Sequence, residues 1–169
     1  MTKTIFLIGF MGVGKSSLGK KLANKLKVPF LDTDDLLEQK FDVSIAEYFS
    51  KYGESAFRNA EKQLLQEYDF GKAVVATGGG LPCFYENMKI MNDKGITIFL
   101  NRPAKELKQR LIHAKKQRPL IKELSDSELL LFIEEKLNER LPFYLKSQIT
   151  LNRDSQTIDQ IISCLSEID

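Results

Sequence analysis

One stretch constrains this chain more than any other: Gly9-Phe10-Met11-Gly12-Val13-Gly14-Lys15-Ser16. Its spacing is G-x-x-x-x-G-K-S, the phosphate-binding P-loop. Ahead of it, Thr4 to Ile8 is short, apolar and rich in β-branched residues, as suits a buried strand. Behind it, Leu18, Leu22, Ala23 and Leu26 recur at the spacing of one helix face. The motif therefore has the strand–loop–helix context its chemistry requires. Glycines let the backbone curl and turn successive N–H groups inward. The helix start adds unpaired N–H groups and the positive end of its dipole. Lys15 is placed to reach the β- and γ-phosphates, and the Ser16 hydroxyl to ligate Mg²⁺.

The rest of the chain alternates strands with helices. Val28 to Leu31 reads as a second strand, leaving Asp32 and Asp34 at its carboxyl end, the ligand edge of an open parallel sheet. One carboxylate would serve Mg²⁺ and the other a hydroxyl, although an Asp at such a junction can equally cap a helix. A helix is expected over Asp35–Phe41, then a capping box at Ser44–Glu47, a break at Gly53, and a helix from Glu54 to Tyr68. Arg58 lies beside the apolar face of that helix; by spacing alone it reads as an ordinary solvated arginine. Ala73–Ala76 is a third strand and runs into Thr77-Gly78-Gly79-Gly80, where a ligand can approach the backbone closely. Phe84–Lys94 reads as a helix stopped by Gly95 as a C′ residue, Ile96–Leu100 as the fourth strand, and Pro103 to about Lys116 as the next helix. Lys115–Lys122 is basic, contains Pro119 and joins two helices. A second capping box at Ser125–Glu128 opens a helix to about Leu141. Gln148–Leu151 is the fifth strand, and Ile158–Ile168 the last helix. This order predicts one α/β domain, residues 1–169, with a mainly parallel sheet.

Composition excludes several classes. Hydrophobic residues are 43% and charged residues 28%, as in ordinary globular domains. A net charge of +2 gives no electrostatic case for nucleic acid or an anionic membrane. No apolar run is long enough to span a bilayer, and no leader pattern opens the chain, so no membrane partner is expected. Cys83 and Cys164 have no metal-ligand spacing and suit a reducing cytoplasm, where ATP is also available. His113, the one histidine, has no nucleophile or metal partner near it in sequence.

Taken in order, the P-loop, Asp32-Thr33-Asp34, Phe57-Arg58, Thr77 to Gly80, Arg118-Pro119-Leu120, and Glu139-Arg140 followed by Tyr144 resemble the shikimate kinase family across essentially the whole chain. The resemblance implies a five-stranded parallel sheet in the order 2-3-1-4-5. It also implies transfer of the ATP γ-phosphate to the 3-hydroxyl of shikimate, with Mg²⁺, on the way to chorismate and the aromatic amino acids. It implies a monomer, a substrate-binding region at about 33–61, and a mobile lid at about 112–124. Gly12, Val13, Gly14, Lys15, Ser16 and Ser17 correspond to the nucleotide-binding positions; Ser17 stands where the family usually has Thr and keeps the hydroxyl. Asp32 corresponds to the metal-side carboxylate. Asp34 corresponds to the residue that binds substrate hydroxyls, as base or as orienting group. Arg58 and Arg140 correspond to the pair holding the substrate carboxylate, a fit with the guanidinium fork. Gly79 and Gly80 correspond to the backbone contact to the substrate ring, and Arg118 to the lid arginine that reaches the phosphates. Arg110 and Arg153 correspond to residues beside the adenine. Leu81-Pro82-Cys83 is bulkier than the family pattern.

Overall fold

The computed structural model describes residues 3–113, 121 and 124–168. The described chain forms β1 (Thr4–Ile8), α1 (Lys15–Leu26), β2 (Phe30–Asp32), α2 (Thr33–Phe41), α3 (Ile45–Glu67), β3 (Val74–Ala76), α4 (Asn87–Lys94), β4 (Gly95–Leu100), α5 (Ala104–Ile112), α6 (Asp126–Tyr144), β5 (Ile149–Leu151) and α7 (Ile158–Ser166). The sheet order is β2-β3-β1-β4-β5, with every pairing parallel. This is the expected architecture.

Central β1 explains the layering. Its side chains alternate between the two sheet faces. Ile5 and Leu7 join Leu22, Ile98, Ile133 and Ile161 on one face. Phe6 and Ile8 join Leu65, Val75, Phe99 and Tyr144 on the other. Each such side chain contributes roughly 1.5–3 kcal/mol on leaving water, so a one-residue register slip would undo both layers at once. Helix α6 contributes to both clusters, through Leu129 and Ile133 to the first and through Tyr144 to the second. It thus spans the two layers and continues through Pro142, past the expected end near Leu141.

Other boundaries differ for local reasons. Within the α3 span the expected break at Gly53 is present: its backbone is non-helical (φ 78°, ψ 173°), and a helical segment lies on either side of it. Leu81–Cys83 forms a 3₁₀ turn, so α4 begins at Asn87 and not at Phe84. Gly95 is not a left-handed C′ residue: its backbone is extended and it opens β4. A side chain there would run into the Thr4 carbonyl of the adjacent strand, so it is strand packing that requires the glycine. Helix α5 ends at Ile112, capped by an exposed His113, short of the expected Lys116.

Candidate active site

The P-loop leaves the carboxyl end of β1 and turns on glycines with positive φ: 139° at Gly9, 80° at Gly12 and 105° at Gly14. No side chain caps α1, which suits a helix start that receives an anion. Val13 is buried beneath the loop, Ser17 is exposed one residue beyond Ser16, and the Lys15 ammonium donates to the carbonyls of Gly9 (2.8 Å) and Phe10 (3.1 Å). The Ser16 hydroxyl donates to Asp32 Oδ2 at 2.8 Å, across the gap between α1 and β2. The other oxygen of Asp32 accepts from the Asp34 amide at 3.1 Å. Asp32 therefore caps α2 with one oxygen and faces Ser16 with the other. A hydroxyl and a carboxylate, both hard oxygen donors, fit Mg²⁺, which keeps several waters and takes phosphate oxygens as ligands.

Two further arginines stand on this side. Arg110 of α5 donates its Nε to the Gly12 carbonyl at 2.6 Å, so it lies over the P-loop. Arg153, exposed after β5, pairs with Glu106 at 2.9 Å, and the second Glu106 oxygen takes Arg102 at 3.1 Å.

The acceptor side gathers at the next strand. Gly79 and Gly80 follow β3, the neighbour of β1. A Cβ on Gly79 would lie 3.4 Å from an Arg140 terminal nitrogen and 3.4 Å from the Met11 amide. A Cβ on Gly80 would strike the Arg58 guanidinium, 2.7 and 2.8 Å from its terminal nitrogens. The glycine backbone thus lies between two arginines and against the P-loop. Asp34, in the first turn of α2, brings Oδ1 to the same edge, 2.7 Å from the position of a Cβ on Gly78. The structure therefore brings Asp34, Arg58, Gly79, Gly80 and Arg140 together beside the phosphate loop.

Arg58 is not the solvated arginine that its spacing suggests. Its residue is 9% exposed, and Phe84 lies 4.3 Å from the guanidinium carbon. Its Nε and one terminal nitrogen donate to Glu54, at 3.2 and 3.0 Å, and the other terminal nitrogen donates to Glu61 at 2.8 Å. These bonds occupy three of the five guanidinium hydrogens, which leaves one on each terminal nitrogen for a ligand. Arg140 lies over the Phe10 ring at 5.4 Å.

The two partners of the buried pair respond unequally. Burial, outweighing the Arg58 charge and reinforced by Asp34, pushes Glu61 up to about 7. Burial also opposes the charge on Arg58, but the combined pull of Glu61 and Glu54 exceeds it, and its pKa is raised. Arg58 has two carboxylate partners and Glu61 has one, with a second carboxylate nearby. Burial also pushes the Cys83 thiol up to about 11, so it is a poor nucleophile.

Glu61 and Glu54 escaped the sequence reading. Their offsets from Arg58, three residues after and four before, are the spacings that meet on a helix, and that signal was available. The Phe84 stack was not, because it needs the turn at Leu81–Cys83. Arg118, and with it residues 114–120, 122 and 123 of the expected lid, lies outside the described residues.

The sequence profile of shikimate kinases matches residues 11–168. The chain belongs to the shikimate kinase family. A shikimate kinase from Bacteroides thetaiotaomicron is 46% identical over 151 residues, covering 89% of this chain and 86% of that protein. One from Parabacteroides distasonis is 38% identical over 165 residues, covering 97% and 95%. Among solved structures, shikimate kinase from Acinetobacter baumannii in complex with shikimate superposes with a TM-score of 0.86 at 31% identity, covering 99% of this chain and 94% of that one. A gluconokinase from Sinorhizobium meliloti shares only the fold, with a TM-score of 0.56 at 15% identity.

Proposed function

We propose that this chain transfers the γ-phosphate of ATP to the 3-hydroxyl of shikimate, in a site shared by the P-loop and the Arg58–Gly80–Arg140 pocket. The observation that carries this is the placing of two guanidinium groups around a glycine backbone, one strand from the phosphate loop. A carboxylate held by both arginines lays the ring along Gly79–Gly80, with Asp34 beside its hydroxyls. Asp34 orients the 3-hydroxyl and takes its proton as the oxygen bonds to phosphorus. Lys15 exchanges the Gly9 and Phe10 carbonyls for phosphate oxygens, so its charge follows the group being transferred. Ser16 and Asp32 would hold Mg²⁺, which would supply positive charge to offset that of the phosphates. Gly12 to Ser17 cradle the phosphates, Arg110 and Arg153 flank the base, and Arg118 closes over the phosphates from a lid at about 112–124.

In this reading residues 1–169 are one kinase domain whose substrate-binding region is about 33–61. It acts as a monomer in the cytoplasm, without a nucleic-acid or membrane partner. The small net charge and the two free cysteines are the features that support this location and these partners. The test is ADP release with shikimate, with gluconate and with no acceptor. Release only with shikimate is expected; equal release with gluconate would sink the reading.

A further inference from the structure

Tyr144 is fully buried, and its ring packs on Phe99 with centroids 5.0 Å apart. A phenylalanine would make the same packing, so the hydroxyl needs its own explanation. That hydroxyl donates to the Gly79 carbonyl at 2.6 Å. Arg140, one turn earlier on α6 and on the same helix face, stands at the same point: one of its terminal nitrogens is 3.4 Å from the position of a Cβ on Gly79, and its charge acts on the phenol. A buried hydroxyl is costly without partners, and this one joins two parts of the acceptor site. Gly79 in turn abuts the P-loop, 3.4 Å separating the position of a Cβ from the Met11 amide and 3.5 Å from the Gly9 carbonyl. A chain of contacts thus runs from Arg140 through the phenol and the Gly79 peptide to the phosphate loop.

We infer that Tyr144 is a positioning residue whose hydroxyl fixes Arg140 and the Gly79 peptide in one relation, and so sets the acceptor pocket against the P-loop. This rests on the reading that Arg140 and Gly79–Gly80 hold shikimate. Arg140 is on a long side chain, and Gly79 is a residue without one; neither can hold its place by packing alone. A single rigid ring between them, itself held by Phe99, supplies the missing constraint. Losing it lets the guanidinium and the peptide move independently, so the substrate is bound less tightly and presented less accurately to phosphorus.

The test is Tyr144→Phe, Arg140→Ala and the double variant, each measured for kcat, KM for shikimate, KM for ATP and thermal midpoint. Tyr144→Phe should raise KM for shikimate roughly three- to tenfold, the scale of one neutral hydrogen bond, and lower kcat, while KM for ATP stays put. In the Arg140→Ala background the same change should add little, because the two act as one unit. A lower midpoint with kcat and KM for shikimate unchanged would make the hydroxyl structural and overturn the inference. So would additive effects in the double variant. If Arg140→Ala raises KM for shikimate and Tyr144→Phe does not, only this inference fails. If Arg140→Ala itself leaves KM unchanged, the site reading fails as well. Should Tyr144→Phe not fold, 3-fluorotyrosine placed at position 144 keeps both ring and hydroxyl. Its ¹⁹F resonance should shift on saturation with shikimate, and a resonance that stays fixed would overturn the inference.

Discussion

Replacing Gly80 by Ala adds one methyl group at the point where the glycine backbone meets Arg58. The backbone itself accepts the change, since φ is −85° and ψ is −24°, an ordinary right-handed conformation. The space does not. The new carbon would sit 2.7, 2.8 and 2.9 Å from the two terminal nitrogens and the central carbon of the guanidinium. Ordinary contact begins at 3.4 Å, so the group must move by about 0.7 Å. It is fenced in by Glu61 at 2.8 Å, Glu54 at 3.0 Å and the Phe84 ring. A shift of that size takes the Glu61 bond to about 3.5 Å, outside the range of a charge-assisted hydrogen bond. The displaced guanidinium also misaims the hydrogens it offers the substrate carboxylate, and the loss of one such charge-assisted bond to the ligand is about 1.5–3 kcal/mol, or a rise of about 10- to 150-fold in KM for shikimate. Lower chain entropy in the unfolded state returns about 0.4–1 kcal/mol, so the thermal midpoint should fall only modestly. Steady-state kinetics with each substrate varied, plus a thermal melt, measure all of this. Adding Arg58→Ala to Gly80→Ala should raise KM for shikimate little further, because both changes act on one guanidinium. An unchanged KM for shikimate in Gly80→Ala would refute the close approach of Gly80 and Arg58 on which the argument depends.

Three further outcomes follow from the same site. Glu61, raised from 4.5 to about 7 in the folded chain, binds more protons folded than unfolded between those values; its contribution is present below pH ~4.5 and is lost as pH rises through ~7. The stability difference between wild type and Glu61→Gln, from urea midpoints, should fall by roughly 2–3 kcal/mol from pH 5 to pH 8, and a constant difference would contradict the buried ionisation. Asp34→Asn should abolish turnover with ATP binding kept, whereas Asp32→Asn should lose activity that high Mg²⁺ partly restores; identical Mg²⁺ responses would reject the division of roles. Arg118→Ala should lower kcat by at least ~10²-fold, as for an arginine acting in phosphoryl transfer, with Lys116→Ala near wild type; a change confined to KM for ATP would remove that role.

The fold was legible because its signals are local. A P-loop between a β-branched strand and an amphipathic helix, followed by further strand–helix pairs, leaves few topologies open. The phosphate half of the site was legible for the same reason: Lys15, Ser16 and the loop glycines act from adjacent positions. The acceptor half was not. Arg58 looks like any surface arginine until α3 packs on α2 and the glycine loop closes over it. Gly95 shows the converse error, since a glycine after a helix reads as a left-handed cap, while its actual reason is a neighbouring strand 91 residues earlier, at Thr4. Only the ordered set of motifs, matched as a family, pointed to Arg58 and Arg140 as a pair before their places beside Gly80 and Gly79 were visible.

The cations of this site are already held by acceptors of the protein itself. Lys15 rests on the Gly9 and Phe10 carbonyls, Arg110 on the Gly12 carbonyl, and Arg58 on two glutamates. The carbonyls under Lys15 and Arg110 are neutral, and phosphate oxygens can replace them at a gain because charge-assisted bonds are the stronger. Arg58 differs. Its partners are carboxylates, one of them buried, and moving the guanidinium away would strand Glu61 without its cation. Lys15 and Arg110 therefore have reason to move when nucleotide arrives, while Arg58 has reason to stay and to offer only its two remaining hydrogens. A site that must follow a moving phosphoryl group and also hold a fixed ring needs both kinds of cation, and here the carboxylates around Arg58 hold the fixed one.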